Sequence, residues 1–320
     1  MNHESIAMPD KNVFLAYTIL NVIDPPLYNS HPLRKRTTKH FRKFEEKIFA
    51  GSKNIVLPNI EVYALTLNEA PDLSKRKGLA LSSHVKNMLI YPSDYLECLV
   101  DFYRNTDFEK FYQKILPEYK AICDELQDIL DKEKIHKDLN DIWEIKKPFT
   151  KDVVIPMPLE ETQSGSGPYI GDTAYQIIGP PFGYLSIESI IHEASHPRMD
   201  RFMTKKLVEE IKKKRYLFGH VLANPSYPPQ YGKNWIACFE EHFIRAMQIA
   251  FFEIETRIPY MLEKEKGYHG FSFIREFYDE INKYKEGKKG SLQDVAFGVL
   301  ERLDKTYKNR TVPKIYRPDI

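Results

Sequence analysis

The stretch that decides the reading of this chain is Ile190-Ile191-His192-Glu193-Ala194-Ser195-His196. Two histidines stand four residues apart, with a glutamate directly after the first. On an α-helix, positions i and i+4 leave from one face, so both imidazoles can reach a single metal ion. The glutamate lies about 100° further round, close enough to meet a water held at that ion. This is the minimal set of a zinc hydrolase, and Zn2+ is the expected cofactor. A chance match is expected in roughly one such chain in forty, so the weight comes from the flanks. Ser186 is placed to cap a helix, and Ile187, Ile190, Ile191 and Ala194 recur at i, i+3, i+4 and i+7. On a helical wheel that aliphatic stripe is centred opposite the histidines. Pro197 follows directly, and the helix is expected to end or kink there, because proline disfavours the α conformation in the residue before it. Asp200 is expected to cap a helix starting near Phe202, the other reading being that it orients a ligand imidazole.

Two histidines need a third protein ligand, leaving a fourth position for water. The next strong helical pattern runs from Trp235 to about Arg257, with a core stripe of Phe239, Phe243, Ala246, Met247, Ala250 and Ile254. Glu241, Arg245 and Gln248 fall opposite that stripe and Glu240 lies at its margin. Glu241 is therefore the preferred third ligand, with Glu240, His242 and His220 as rivals. The competing reading is an ordinary i, i+4 ion pair between Glu241 and Arg245. Arg245 could also steady a carboxylate that holds the metal.

Upstream of the motif, Val153-Val154-Ile155 and Ala174-Tyr175-Gln176-Ile177-Ile178 read as strands, separated by the loop Ser164-Gly165-Ser166-Gly167-Pro168. A strand beside the metal-bearing helix could take an extended peptide as a further strand; a plain structural hairpin fits equally. Downstream, residues 202–218 read as a basic helix. Ala223 to Gly232, rich in proline and tyrosine, reads as a flap in which Tyr227 or Tyr231 could stabilise an oxyanion.

The rest of the chain reads as scaffold. Val13 to Ile23 is apolar, too short to span a bilayer, and expected to be a core strand or helix. His31 to Lys47 is basic and helical, its charges a solvated face. Ile55 to Leu67 suggests extended segments broken by Pro58, and Pro92 to Lys132 is strongly helical with a break expected at Pro117. Phe271, Phe273, Ile274 and Phe277, and then Val295, Val299, Leu300 and Leu303, are spaced as core of further helices. The fold class expected is α+β and mostly α-helical: a mainly helical lobe over 1–147, a catalytic core of small sheet and active-site helix over 148–257, and a C-terminal helical region over 258–320.

The 47 basic and 45 acidic residues nearly cancel, so bulk electrostatics give no reason to expect nucleic acid as a partner. Cys98, Cys123 and Cys238 lack CxxC spacing, and an odd count argues against a disulfide framework. Free thiols, no targeting pattern and no membrane span together point to a soluble, cytoplasmic protein.

In these segments the chain resembles a domain-of-unknown-function family regarded as zinc metalloproteases of the gluzincin type. The likeness is carried by Ile190 to His196 and by Glu241-His242-Phe243-Ile244-Arg245-Ala246. It extends to Asp101-Phe102-Tyr103-Arg104-Asn105-Thr106-Asp107-Phe108 and to Ile177-Ile178-Gly179-Pro180. The resemblance implies a zincin-like core, with His192, His196 and Glu241 binding zinc and Glu193 acting as general base on a peptide or protein substrate. Two other classes are weighed against it: a catalytically silent, protease-like binding or scaffold protein, and a zinc amidohydrolase acting on a small molecule.

Overall fold

Asp10 begins the first long element by accepting the Val13 amide at 2.8 Å, the geometry of a helix N-cap. The helix it opens, α1 (Lys11–Ile23), is buried almost all round, which explains why its sequence shows no polar face. Its polar residues are satisfied inside the core. Asn12 bonds the backbone at Asn68 and Ala70, Thr18 donates to Phe14 O, and Asn21 donates to Tyr17 O and Leu159 O. The computed structural model describes residues 3–25, 31–44, 57–79, 81, 85–86, 89, 92–227, 234–288 and 290–312. Over these the protein is α+β, mostly helical with one small mixed sheet. It divides into two units, one of residues 1–141 and 146–197, the other of residues 142–145 and 198–320.

In the first unit, α1 is followed by α2 (Pro32–Phe41), α3 (Ile60–Ala64), α4 (Pro92–Asn105), α5 (Phe108–Glu133) and α6 (Ile135–Ile142). The sheet uses β1 (Glu4–Ala7), β2 (Lys151–Pro156), β3 (Gly165–Ser166), β4 (Tyr169–Ile170) and β5 (Thr173–Ile178). β1, β2 and β5 run parallel, with Ser5 beside Asp152 and Asp152 beside Ala174. β3 and β4 run antiparallel along β5, Ser166 opposite Ile177 and Tyr169 opposite Ala174. The two strands read from sequence are therefore parallel neighbours rather than a hairpin, and the antiparallel partner of β5 is the Ser-Gly segment itself, interrupted at Gly167-Pro168. Val153, Ile155 and Ile177 join α1, α2, α4 and α5 in one apolar cluster.

Three other expectations are corrected here. Residues 60–64 form a helix instead of an extended segment, while 55 and 56 lie outside the described residues. Pro117 does not break its helix: α5 runs straight through it. Tyr112, Ile115, Tyr119, Cys123 and Leu126 keep one buried stripe on both sides of the proline, and that burial outweighs one missing hydrogen bond. Arg34 is not on a solvated face; it is buried and donates to the Asn21 side chain.

The second unit is helical among the described residues: α8 (Lys205–Lys213), α9 (Leu217–Leu222), α10 (Trp235–Phe252), α11 (Ile258–Gly267), α12 (Ile274–Lys285) and α13 (Leu292–Tyr307). The basic stretch 202–218 is thus two helices rather than one. Thr204, Asn234 and Ser291 cap α8, α10 and α13 through their side-chain oxygens. Phe239, Phe243 and Phe277 form the aromatic centre, with ring centroids 5.1 Å apart for Phe239 and Phe277. Trp143 packs on Phe243 at 5.9 Å. No helix among the described residues is long and apolar enough to cross a membrane.

Candidate metal centre

The motif sits on α7 (Ile187–Phe202), which starts from a 3-10 turn over Gly183–Ser186. Gly183 has φ +78°, a backbone conformation that calls for glycine. Ser186 directly precedes the helix, and its hydroxyl donates to Gly183 O at 2.6 Å, tightening the turn. Ile190, Ile191 and Ala194 are buried, whereas His192 and His196 are half-buried. Ile187, the first residue of the predicted aliphatic stripe, is half-buried like the histidines, so the division into an aliphatic and a histidine side holds from Ile190 onward.

α7 does not end at Pro197; it continues to Phe202. Both histidines keep helical backbone, and their rings lie 5.0 Å apart at 86° to one another. One ligand atom each from His192, Glu193 and His196 falls within 4.8 Å of the others. Two ligands about 2.1 Å from one ion sit at most about 4.2 Å apart, so small side-chain rotations suffice for both imidazoles to share a metal. Two nitrogens on one helix, with carboxylate oxygen alongside, fit zinc's preference for borderline N and O donors.

Proline has no N–H, so Pro197 offers no helical donor to the carbonyl of Glu193. Gly167 lies directly against that carbonyl. A Cβ on Gly167 would stand 2.1 Å from Glu193 O and 3.0 Å from Glu193 C, so any other residue would force the two backbones apart. Gly165, in β3, does the same for the side chain: its Cβ would lie 2.8 Å from both Cγ and Oε1 of Glu193. Glu193 is accordingly only 8% exposed, packed beneath the strand that precedes its helix. Sequence reading treated Ser164 to Pro168 as a loop and missed this role. The signal was there, as two glycines two residues apart in the segment before the motif helix.

A buried polar group accompanies Glu193. Burial, then the carboxylates of Glu160, Glu61 and, more weakly, Glu193, push the Tyr17 hydroxyl far above its ordinary range. Glu61 is pushed up to about 7 by burial, with Glu160 adding to the rise. Neither tyrosine nor glutamate was marked by any motif.

The remaining site residues named from sequence lie in the second unit. Glu241, on α10, pairs with Arg245 at 3.4 Å, and Arg245 reaches Glu265 at 3.1 Å while stacking 4.4 Å over Phe271. Glu240 is pushed up to about 7 by burial, with Asp200 and Glu241 contributing. Asp200 lies inside α7, and the cap of the following helix is Thr204, so the capping role expected of Asp200 is not the one it has. His242 is a core histidine. It is fully buried against Phe271, Phe273 and Phe277, its Nδ1 bonds Cys238 O at 2.7 Å, and Nε2 accepts the Phe273 amide at 3.3 Å. Burial pushes it down to about 3, so it is neutral, with both nitrogens occupied and none left for a metal. His220 packs on Tyr307 at 5.2 Å. Tyr227 is buried between Phe218 and Phe271 with its hydroxyl driven above the usual range, first by burial and then by Cys238. Tyr231 lies outside the described residues.

Compared with protein-family models, curated proteins and solved structures, the chain matches none of them.

Proposed function

We propose that this protein is a zinc-dependent metallopeptidase with a zincin-like core, His192 and His196 holding the metal and Glu241 completing the set. The observation that carries the reading is the convergence of His192, Glu193 and His196 within 4.8 Å on an unbroken helix, with Glu193 pinned beneath two glycines. A bare metal site has no need of a carboxylate held so closely; a general base has.

Bound zinc would supply Lewis acidity, lowering the pKa of a water to around 7 and polarising the scissile carbonyl. The chain's own residues do the rest. Glu193 takes a proton from the attacking water and delivers it to the leaving amine. Gly165 and Gly167 keep that carboxylate and its backbone in place. β3 is the last strand in the order β1-β2-β5-β3, so an extended peptide added beside it would run past Glu193. In the second unit, Arg245 would orient the Glu241 carboxylate through their 3.4 Å pair.

The test is hydrolysis of a peptide library by zinc-supplied protein and by its Glu193→Gln variant. Cleavage by the parent and a loss of about 10²-fold or more in the variant is expected, since a positioned base contributes 10²–10⁴-fold. Equal cleavage by both would remove Glu193 from its role. No cleavage by a zinc-loaded parent would favour the small-molecule amidohydrolase or the silent scaffold.

A further inference from the structure

Apart from the metal centre, the first unit contains a cleft of about 350 Å³ between α3 and the segment that follows it. Its polar lining comes from Lys75, Arg76, Lys86 and Tyr63, and its apolar lining includes Leu79 and Leu89. No acidic residue lines it among the described residues. Lys75 and Lys86 are exposed and would stand at the mouth, whereas Arg76 is half-buried. The guanidinium is anchored by Nη2, which donates to Leu65 O, and the backbone of the same residue is fixed by the Arg76 amide, which donates to Thr66 O at 3.0 Å. Asp10 interacts with it electrostatically, but that carboxylate is committed to capping α1 through Val13.

Two donors in this lining are left over. Arg76 Nε and the Tyr63 hydroxyl are both buried without a hydrogen-bond partner among the described residues, and Tyr63 is only 2% exposed. Buried donors are almost always satisfied, and a charged one left unsatisfied is costly. An arginine beside two lysines, with a tyrosine hydroxyl and leucine walls, is complementary to an anionic head on an apolar body. The volume is at the small end for ligand sites, about 300–1,000 Å³. It suits a body of about ten non-hydrogen atoms rather than a long lipid.

We propose that this cleft binds a small amphipathic anion, a carboxylate or phosphate monoester whose head group meets Arg76 and whose apolar part lies against Leu79 and Leu89. The site is separate from Glu193 and does not depend on the metal.

The test is calorimetric titration of the full chain, treated with chelator so that a carboxylate cannot be read as a ligand of a metal. The probes are octanoate, octyl phosphate, octan-1-ol and inorganic phosphate. Octanoate or octyl phosphate is expected to bind at least tenfold more tightly than octanol and inorganic phosphate. The stronger of the two identifies the head group. Arg76→Gln is expected to weaken that binding at least tenfold while leaving octanol unchanged. Lys86→Gln, at an exposed position where folding is not at stake, is expected to weaken it several-fold, with a shallower salt dependence. Absence of binding by both anions, affinity equal to that of octanol, or binding indifferent to both substitutions would each overturn the proposal.

Discussion

Replacing Gly167 by alanine puts the packing around the candidate base to a direct test. The added Cβ would stand 2.1 Å from Glu193 O, whereas ordinary carbon–oxygen contacts are about 3.3 Å or longer. The strand and the helix must therefore part by about 1.2 Å, and since the obstructing atom is backbone, no side-chain rotation relieves it. Overpacking of this kind costs about 1–3 kcal/mol. For a protein of this size that lowers Tm by roughly 2–10 °C. A 1 Å displacement of Glu193 would also reduce turnover by about 10²-fold. Gly267→Ala is the control, because nothing lies within 4 Å of its Cβ and its φ is ordinary. At the end of α11 it should be neutral or stabilising by less than about 1 kcal/mol. Denaturant unfolding of both variants, with peptide hydrolysis alongside, is the assay. Gly167→Ala with parental stability and parental turnover would show that the strand does not clamp the helix at Glu193.

Further expectations concern charge, core and caps. Glu61, with its carboxyl raised from 4.5 to about 7, binds a proton in the folded state that the unfolded chain has already lost between those values. Its contribution is therefore present below about pH 4.5 and is lost as pH rises through 7, by up to roughly 3 kcal/mol. Glu61→Gln should flatten that part of the stability–pH curve and raise Tm at pH 8 relative to the parent; an unchanged curve would contradict the burial-driven shift. His242→Ala should cost about 2–4 kcal/mol, by leaving the Phe273 amide unsatisfied and opening the aromatic cluster, yet leave metal content unchanged. Loss of metal at native stability would make His242 a ligand after all. Asn234→Ala removes an oxygen that accepts the Ile236 and Ala237 amides and should destabilise by about 1 kcal/mol in denaturant unfolding, whereas an unchanged midpoint would rule out that cap.

Much of the helical framework was legible because burial follows the period of the sequence. Phe239, Phe243, Ala246, Met247 and Ala250 are buried as their spacing on α10 requires, although Ile254, assigned to the same stripe, is 61% exposed beyond the helix end. Ile190, Ile191 and Ala194 fixed the orientation of the motif helix in the same way. The prolines are where local preference and structure part, because tertiary contacts override the local preference. Pro117 and Pro197 each forfeit one hydrogen bond inside helices whose flanking residues stay buried on both sides. β1 went unseen since four residues, Glu4 to Ala7, carry no pattern, and its place is set by a parallel pairing with residues 151–154, far along the chain. The pairing of β3 with β5 and the contacts of Gly165 and Gly167 with Glu193 are likewise non-local. Spacing could mark those glycines but could not say what they approach.

The central claim is that His192, His196 and Glu241 hold a metal for Glu193 to work beside. It is tested most directly by elemental analysis of the purified parent, His192→Ala and Glu241→Ala after zinc is supplied and free metal removed. The account predicts about one zinc per chain in the parent and marked loss in both variants. A parent that holds no metal would contradict it, and zinc retained by His192→Ala would do so equally.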